Sequence, residues 1–520
     1  MAFSACITLL SAFYYGISQQ NILFIALALS PILIFAVLML FKRAKVPRRI
    51  DEQLVSLILH MYVISLGEAG ADEIVRAVAE TEDYGYYSKV FLRIRSLAKK
   101  FGYGFTKATA KVAAMTKPPL RDVLVRCQQF FSSMSPRSYL ELENSMIMEE
   151  YSGYYERAVK TIEIFGGIYS ALQSIVVFIL MVVVLMVVFT NAPTIIYYVY
   201  GLTPLMLIVM LLAFKFTAPR EKLVYIDREI KPKLYKIFRL SLAVVFICIA
   251  YILAQSIGGS GINVPLTLTL AGLGILMPGS IAYLFERSVY KIDENYPTLI
   301  KSLGENISST SSLKSALYYI LYLEIGPLKK LVKRVYSRLK VGISNERAMR
   351  LLSAETASYK VYLLNKMFLD SFSHGADPVE VSKVLGTSCV KFLDLRSKRF
   401  MVSRSLESVV YLLQPMSVAL LVILAFLSKY FSQSLSSLPY FTFGRIPVEV
   451  VEVGNIFIVI FMALINALIL KVCRGGFWGG IFLYLGILLI LSAAAWVGAE
   501  IVMKSMFGGM MEGFQEIISV

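Results

Sequence analysis

A chain of 520 residues that is 57% hydrophobic, with a mean hydropathy of +0.68, is too apolar for a soluble globular domain. Its formal charge of +17 (52 Lys and Arg against 35 Asp and Glu) falls between the apolar runs, so it reads as a flanking surplus and no nucleic-acid footprint. Five cysteines without motif spacing (Cys6, Cys127, Cys248, Cys389, Cys473) and only two histidines, His60 and His374, exclude a disulfide framework, a thiolate metal site and a His-rich one; no cofactor is expected.

In chain order, residues 2–17 are moderately apolar and 22–41 strongly so, which predicts an N-terminal membrane hairpin over 1–41. No basic n-region precedes the first run, so a cleaved signal peptide is not expected. Lys42, Arg43, Lys45, Arg48 and Arg49 then open a polar block, 42–163. A hairpin follows over 164–214, its spans at about 164–190 and 194–214 joined by Thr190-Asn191-Ala192-Pro193. A basic linker, 215–239, leads to a second hairpin over 240–285, with spans at 240–257 and 262–285 around Gly258-Gly259-Ser260-Gly261. The second polar block covers 286–407. Three spans at about 408–431, 453–470 and 477–499 occupy 408–503, and a tail, 504–520, ends the chain. The prediction is an all-α polytopic membrane protein with about nine transmembrane helices and two repeated cytoplasmic helical-bundle domains.

Charge placement sets the expected orientation. Residues 42–163, 215–239 and 286–407 hold 19, 8 and 20 Lys or Arg, 47 of the 52 in the chain. All three regions are therefore expected on the cytoplasmic side of the cell membrane, with the C-terminus outside, and part of their net charge is expected to face anionic headgroups.

The two polar blocks echo one another. Arg49-Ile50-Asp51-Glu52-Gln53 opens the first and Lys291-Ile292-Asp293-Glu294-Asn295 the second, an offset of 242. Gly104-Phe105-Thr106 answers Gly342-Ile343-Ser344, and Phe131 through Pro136 answers Phe372 through Pro378. Shared order and spacing point to a duplication more firmly than any single identity. Ile50, Leu54, Leu57, Ile58 and Met61 recur at helical spacing, as do Ile292, Tyr296, Leu299, Ile300 and Leu303. Pro136 and Pro378 suit first helical positions after Ser135 and Asp377; Asp377 with Glu380 fits a capping box, and Thr106 and Ser344 suit N-caps. Each block should be an all-α bundle of five or six short helices whose last helix runs into the membrane.

Catalytic signatures are missing. There is no GxxxxGK[ST], HExxH or CxxC, and no GxSxG between strand and helix, which argues against an ATPase, protease or redox enzyme. The pairs Asp51-Glu52 and Asp293-Glu294 are read as acids at helix N-termini, since neighbours on a helix point about 100° apart. Within the spans only Gln173, Gln414 and Asn466 stand out, and they suit helix-to-helix hydrogen bonding better than an ion pathway. His374 is read as a loop residue. The sharpest surface feature is the helix around 329–340, with Leu331, Val335 and Leu339 on one face and Lys329, Lys330, Lys333, Arg334, Arg338 and Lys340 on the other. A weaker counterpart is Arg93, Arg95, Lys99 and Lys100. Such faces suit solvent, the inner leaflet or an acidic protein surface.

Duplicated helical domains that each run into a membrane hairpin resemble the type II secretion F-domain family, the inner-membrane platform proteins of type II secretion, type IV pili and archaella. The resemblance covers roughly 50–190 and 290–431. It rests on the openers Ile50 to Gly67 and Ile292 to Gly304, the mid-domain Gly-hydrophobic-Ser/Thr, and the proline-started later helix. The additional spans look more like the archaeal versions. Ser132-Ser133-Met134-Ser135 departs from the pattern by lacking the glycine often found there. The resemblance implies a non-enzymatic scaffold for a pilus or archaellum filament. Its implied partners are a separate secretion-type hexameric ATPase, pilin-like subunits and membrane lipids, with a homodimer plausible beneath a symmetric filament. The basic faces at 93–100 and 329–340 are the candidate contacts for the ATPase or for lipid. A membrane transporter or lipid flippase with regulatory domains is the alternative reading; a lipid-modifying enzyme would need a polar cluster at a membrane face that the sequence does not display.

Overall fold

A computed structural model describes residues 49–132, 136–190, 194–227, 230–257, 263–436 and 447–518. Among them are sixteen α-helices and one short 3-10 helix, and no strand beyond an isolated bridge between Val224 and Ser358. The expected spans at 2–17 and 22–41, most of the basic run after them and the glycine turn at 258–262 lie outside the described residues. Among the described residues, six helices are long and apolar enough to cross a membrane. The chain is an all-helical, polytopic membrane protein.

In the first polar block, α1 (Glu52–Ser65), α2 (Ala71–Glu80), α3 (Tyr86–Lys99), α4 (Gly104–Met115) and α5 (Leu120–Ser132) precede α6 (Pro136–Thr190), which continues without a break into the apolar segment. α7 (Thr194–Thr217) returns, and α8 (Lys233–Ile257) follows the linker. α9 (Val264–Thr310) joins span and second block in one helix. Then come α10 (Leu313–Ile320), α11 (Leu328–Lys340), α12 (Asn345–Thr356), α13 (Tyr359–Ser373) and the long α14 (Pro378–Ser436). α15 (Val448–Arg474) and α16 (Gly480–Ile518) complete the chain. Ala71 and Leu313, Tyr86 and Leu328, and Pro136 and Pro378 each open a helix 242 residues apart.

Local chemistry explains the boundaries. Asp51 caps α1, its Oδ1 accepting from the Leu54 amide at 3.0 Å, and Ser358 caps α13 through the Val361 amide at 3.1 Å. Asp377 accepts from the Val379 amide at 3.2 Å, as the expected cap of α14. The companion capping-box arm is not made, because Glu380 turns instead to Arg137 on α6. α4 starts at Gly104, two residues before Thr106, with Tyr103 at its N-cap. His374 follows the last residue of α13, as a loop residue should.

The two blocks are not separate bundles. Their buried side chains, from Ile50 to Leu395, form one continuous core, in which α6 and α14 run against each other. α1, which reads as amphipathic, is enclosed on nearly every side, because α6 covers one flank and α13 of the second block another. Each fully buried Leu or Ile in it contributes about 1.5–3 kcal/mol. Two close approaches demand glycine. A Cβ on Gly67 would come within 2.3 Å of the His374 carbonyl oxygen, and one on Gly304 within 2.4 Å of the Pro378 carbonyl oxygen. The membrane helices have a second core, centred on α15, the most buried of the six apolar helices.

Candidate functional site

The residues singled out by charge sit on α3 and α11. On α11, Leu328, Val332, Val335 and Leu339 face the core, with Leu331 half-buried beside them. Lys330, Lys333, Arg334 and Lys340 are exposed, whereas Arg338 turns back to Glu355 on α12, which also lies 3.5 Å from Arg334. Lys329 lies 4.0 Å from Glu324. Lys330, Lys333 and Lys340 have no ion-pair partner among the described residues, and they form the open part of this face. On α3 the patch is more neutralised: Asp72 takes both Arg95, at 3.1 Å, and Lys99, at 2.6 Å; burial alone would raise the Asp72 carboxyl, but the hydrogen bonds and charges of Lys99 and Arg95 together hold it below its ordinary value. Arg93 and Lys100 stay exposed. No hydrogen bond or ion pair links the two patches among the described residues.

The acidic pairs behave differently from each other. Asp51 is the helix cap that its position suggests. Asp293 is not at a helix start at all: α9 runs through it, and its side chain is fully buried. The reason is that the preceding span continues into the second block, so the macrodipole reading fails there. Arg396 Nη1 donates to Asp293 Oδ2 at 2.6 Å, and the Ser358 hydroxyl donates to Asp293 Oδ1. Arg396 Nε donates to Glu221 Oε1 at 2.5 Å, and Lys360 Nζ donates to Glu52 Oε1 at 2.5 Å while lying 3.8 Å from Glu221. Arg399 donates to the carbonyls of Cys473 (2.7 Å), Val472 (2.7 Å) and Pro219 (2.9 Å). Three carboxylates are thus set against three cations inside the protein, which is the condition for a buried ionic cluster to hold together. Burial alone would raise Glu221, but Arg396, then Lys360 and Arg399, hold it down at about 2. Glu52 goes the other way, raised chiefly by burial although Lys360 opposes it.

Five pieces of chain meet in this cluster: α1 (Glu52), the linker (Glu221), α9 (Asp293), α13 (Lys360) and α14 (Arg396, Arg399). The linker is pinned as a strap. Tyr225 N donates to Ala357 O and Tyr359 N to Leu223 O, both at 2.9 Å, and the Tyr225 and Tyr362 rings stack at 3.8 Å. Lys222 reaches Asp83 of the first block at 3.3 Å. One signal for Arg396 and Arg399 was present in the sequence, since they continue the buried helical stripe of Leu385, Cys389 and Phe392. Nothing local marks Glu221 or Lys360.

In the spans, Asn466 Nδ2 donates to Gln414 Oε1 at 2.7 Å, Gln414 Nε2 to Ser492 Oγ at 3.1 Å, and the Tyr169 hydroxyl to Asn466 Oδ1. Gln173 Nε2 approaches Ser417 Oγ at 3.4 Å. These side chains tie α6, α14, α15 and α16 together. Among the described residues no cluster of His, Cys, Asp and Glu is arranged to hold a metal.

Two archaeal proteins are similar over most of the chain. Flagella accessory protein J of Methanocaldococcus jannaschii is 24% identical over 453 residues, covering 82% of this chain and 80% of the relative. Flagella accessory protein J of Methanococcus voltae is 22% identical over 375 residues, covering 68% and 67%. No family model matches the chain, and no solved structure does.

Proposed function

We propose, from its place among the archaellum and type IV pilus platform proteins, that the chain is a non-enzymatic membrane platform for assembly of such a filament. The observation that carries this is the similarity to Flagella accessory protein J across about four fifths of both chains. In this reading a separate hexameric ATPase engages the cytoplasmic face and pilin-like subunits pass from the bilayer into the filament. The two helical blocks are copies of one unit, as the recurring 242-residue offset of helix starts supports. The N-terminal pair and α8 bring the spans to nine, both blocks and the linker lie in the cytoplasm, and the C-terminus lies outside. The shared core and the buried ion cluster favour a stiff scaffold: a load applied to either block reaches α6, α9 and α14 without a flexible joint. The polar groups of the spans hydrogen-bond to each other across helices, which suits packing better than a transport path.

The open side of α11 is the proposed ATPase contact, with Arg93 and Lys100 of α3 as its lesser counterpart. Replacing Lys329, Lys330, Lys333 and Arg334 by Glu should abolish capture of the ATPase while leaving the fold intact. Unchanged capture would remove α11 from the contact.

A further inference from the structure

We infer that the start of α8 and the turn between α15 and α16 form a binding site for an anionic lipid headgroup. This rests on the membrane character of the chain and does not depend on the platform reading.

Three apolar runs change to polar sequence at one place. α8 turns apolar after Arg239, the apolar part of α9 gives out at Glu286 and Arg287, and α15 ends at Arg474 before α16 begins at Gly480. An aromatic cluster lies there. Phe238 of α8 meets Phe477 at 5.2 Å and Trp478 at 5.4 Å, Phe285 of α9 meets Phe477 at 5.2 Å, and Tyr235 meets Phe285 at 6.0 Å. The fit is tight enough that a Cβ on Gly479 would come within 2.7 Å of the Phe238 ring. Of these rings Tyr235 and Trp478 favour the headgroup layer, where an apolar ring and a polar O–H or N–H are both served. Trp478 is half exposed, so the cluster opens to the outside through it.

Beside that opening, α8 exposes Lys233, Lys236 and Arg239 at three-residue spacing, neighbours on a helix surface. None of them has an ion-pair partner among the described residues. Ile237, Leu240, Phe246 and Ile247 are exposed on the same helix, and their apolar surface runs on from the basic stripe along α8. A ligand that fits must present negative charge to the stripe and an apolar tail to the surface below it. An anionic lipid does both in one molecule. Free phosphate would leave Ile237 and Leu240 in water, and an acidic protein would have to enter the headgroup layer to reach Trp478.

The test uses the full chain with Trp496→Phe, which leaves Trp478 as the single tryptophan, reconstituted in zwitterionic bilayers. Brominated phosphatidylglycerol is titrated against brominated phosphatidylcholine, and quenching of Trp478 is read. Each basic side chain near an anionic surface is worth about fivefold, so phosphatidylglycerol should reach half-quenching at about a tenfold lower mole fraction or less. Lys233→Gln, Lys236→Gln and Arg239→Gln together should equalise the two lipids, whereas Lys329→Gln, Lys330→Gln and Lys333→Gln, with the same loss of charge, should not. Equal quenching by both lipids in the otherwise unaltered chain overturns the inference, as does a preference lost equally in both triple variants. The first of these requires no basic-site variant to fold.

Discussion

Arg396→Met probes the joint between the two blocks. Arg396 is the cation shared by Glu221 and Asp293, with side-chain exposures of 5%, 9% and 0%. Removing it leaves Asp293, among the described residues, with the Ser358 hydroxyl alone and Glu221 with Lys360 at 3.8 Å and the charge of Arg399. Breaking a buried ion pair from one side costs about 3–5 kcal/mol, most of it the desolvation of the stranded charge. Since Lys360 still faces Glu221 and methionine keeps part of the arginine stem's packing, the lower end, about 3 kcal/mol, is expected. For a folding unit of roughly 350 residues, the reach of the shared core, that is about a 4 °C loss in Tm. A thiol-reactive coumarin maleimide gives the readout in mild detergent, because Cys127, Cys389 and Cys473 are buried until the fold opens. Asp293→Asn added to Arg396→Met should recover part of the loss, since it removes the stranded charge. A melting change under about 2 °C, or single-variant losses that simply add, would refute the reasoning.

Other consequences follow from the same contacts. Gly304→Ala should cost about 1–3 kcal/mol by overpacking against Pro378 and Ser382, whereas Gly167→Ala, in an open helical position, should be neutral or slightly stabilising; thermal melts of the two decide it. Asn466→Leu strands Gln414 Oε1 and the Tyr169 hydroxyl and should cost about 0.6–2 kcal/mol, partly recovered when Gln414→Leu is added, by the same melts. Glu221 is held down in the fold, so its stabilising contribution is full above the unfolded carboxylate value of about 4.3 and fades as pH falls toward about 2. Glu221→Gln should therefore be less stable than the parent at pH 6, and the gap should close as the melts move toward pH 2.5. A gap of constant size would contradict the assigned ion pairs.

Much of the helical plan was legible from residue pattern. Apolar length located the spans on α6, α7, α9, α14, α15 and α16. Pro136 and Pro378 opened their helices, and the 242-residue offset between the Asp51 and Asp293 segments recurs in three pairs of helix starts, though not at Asp293 itself. What escaped was set by partners distant in sequence. Periodicity sees one helix at a time, so α1 read as amphipathic although α13 covers its other flank. The change from apolar to polar composition after residue 285 looked like a boundary, yet composition does not interrupt backbone hydrogen bonding, and α9 runs straight through. Glu221 and Lys360 reveal nothing locally; their meaning lies in Arg396 and Glu52. The α11 face was readable as charge, but the turning of Arg338 toward Glu355 needed α12 in place.

A platform that works with a separate motor should retain its partners when the tagged chain is purified from native membranes in mild detergent and what accompanies it is identified by mass spectrometry. A secretion-type hexameric ATPase should accompany it together with pilin-like subunits, and the ATPase alone should be lost when Lys329, Lys330, Lys333 and Arg334 are reversed to Glu. Recovery of a folded chain with neither partner would contradict the platform reading.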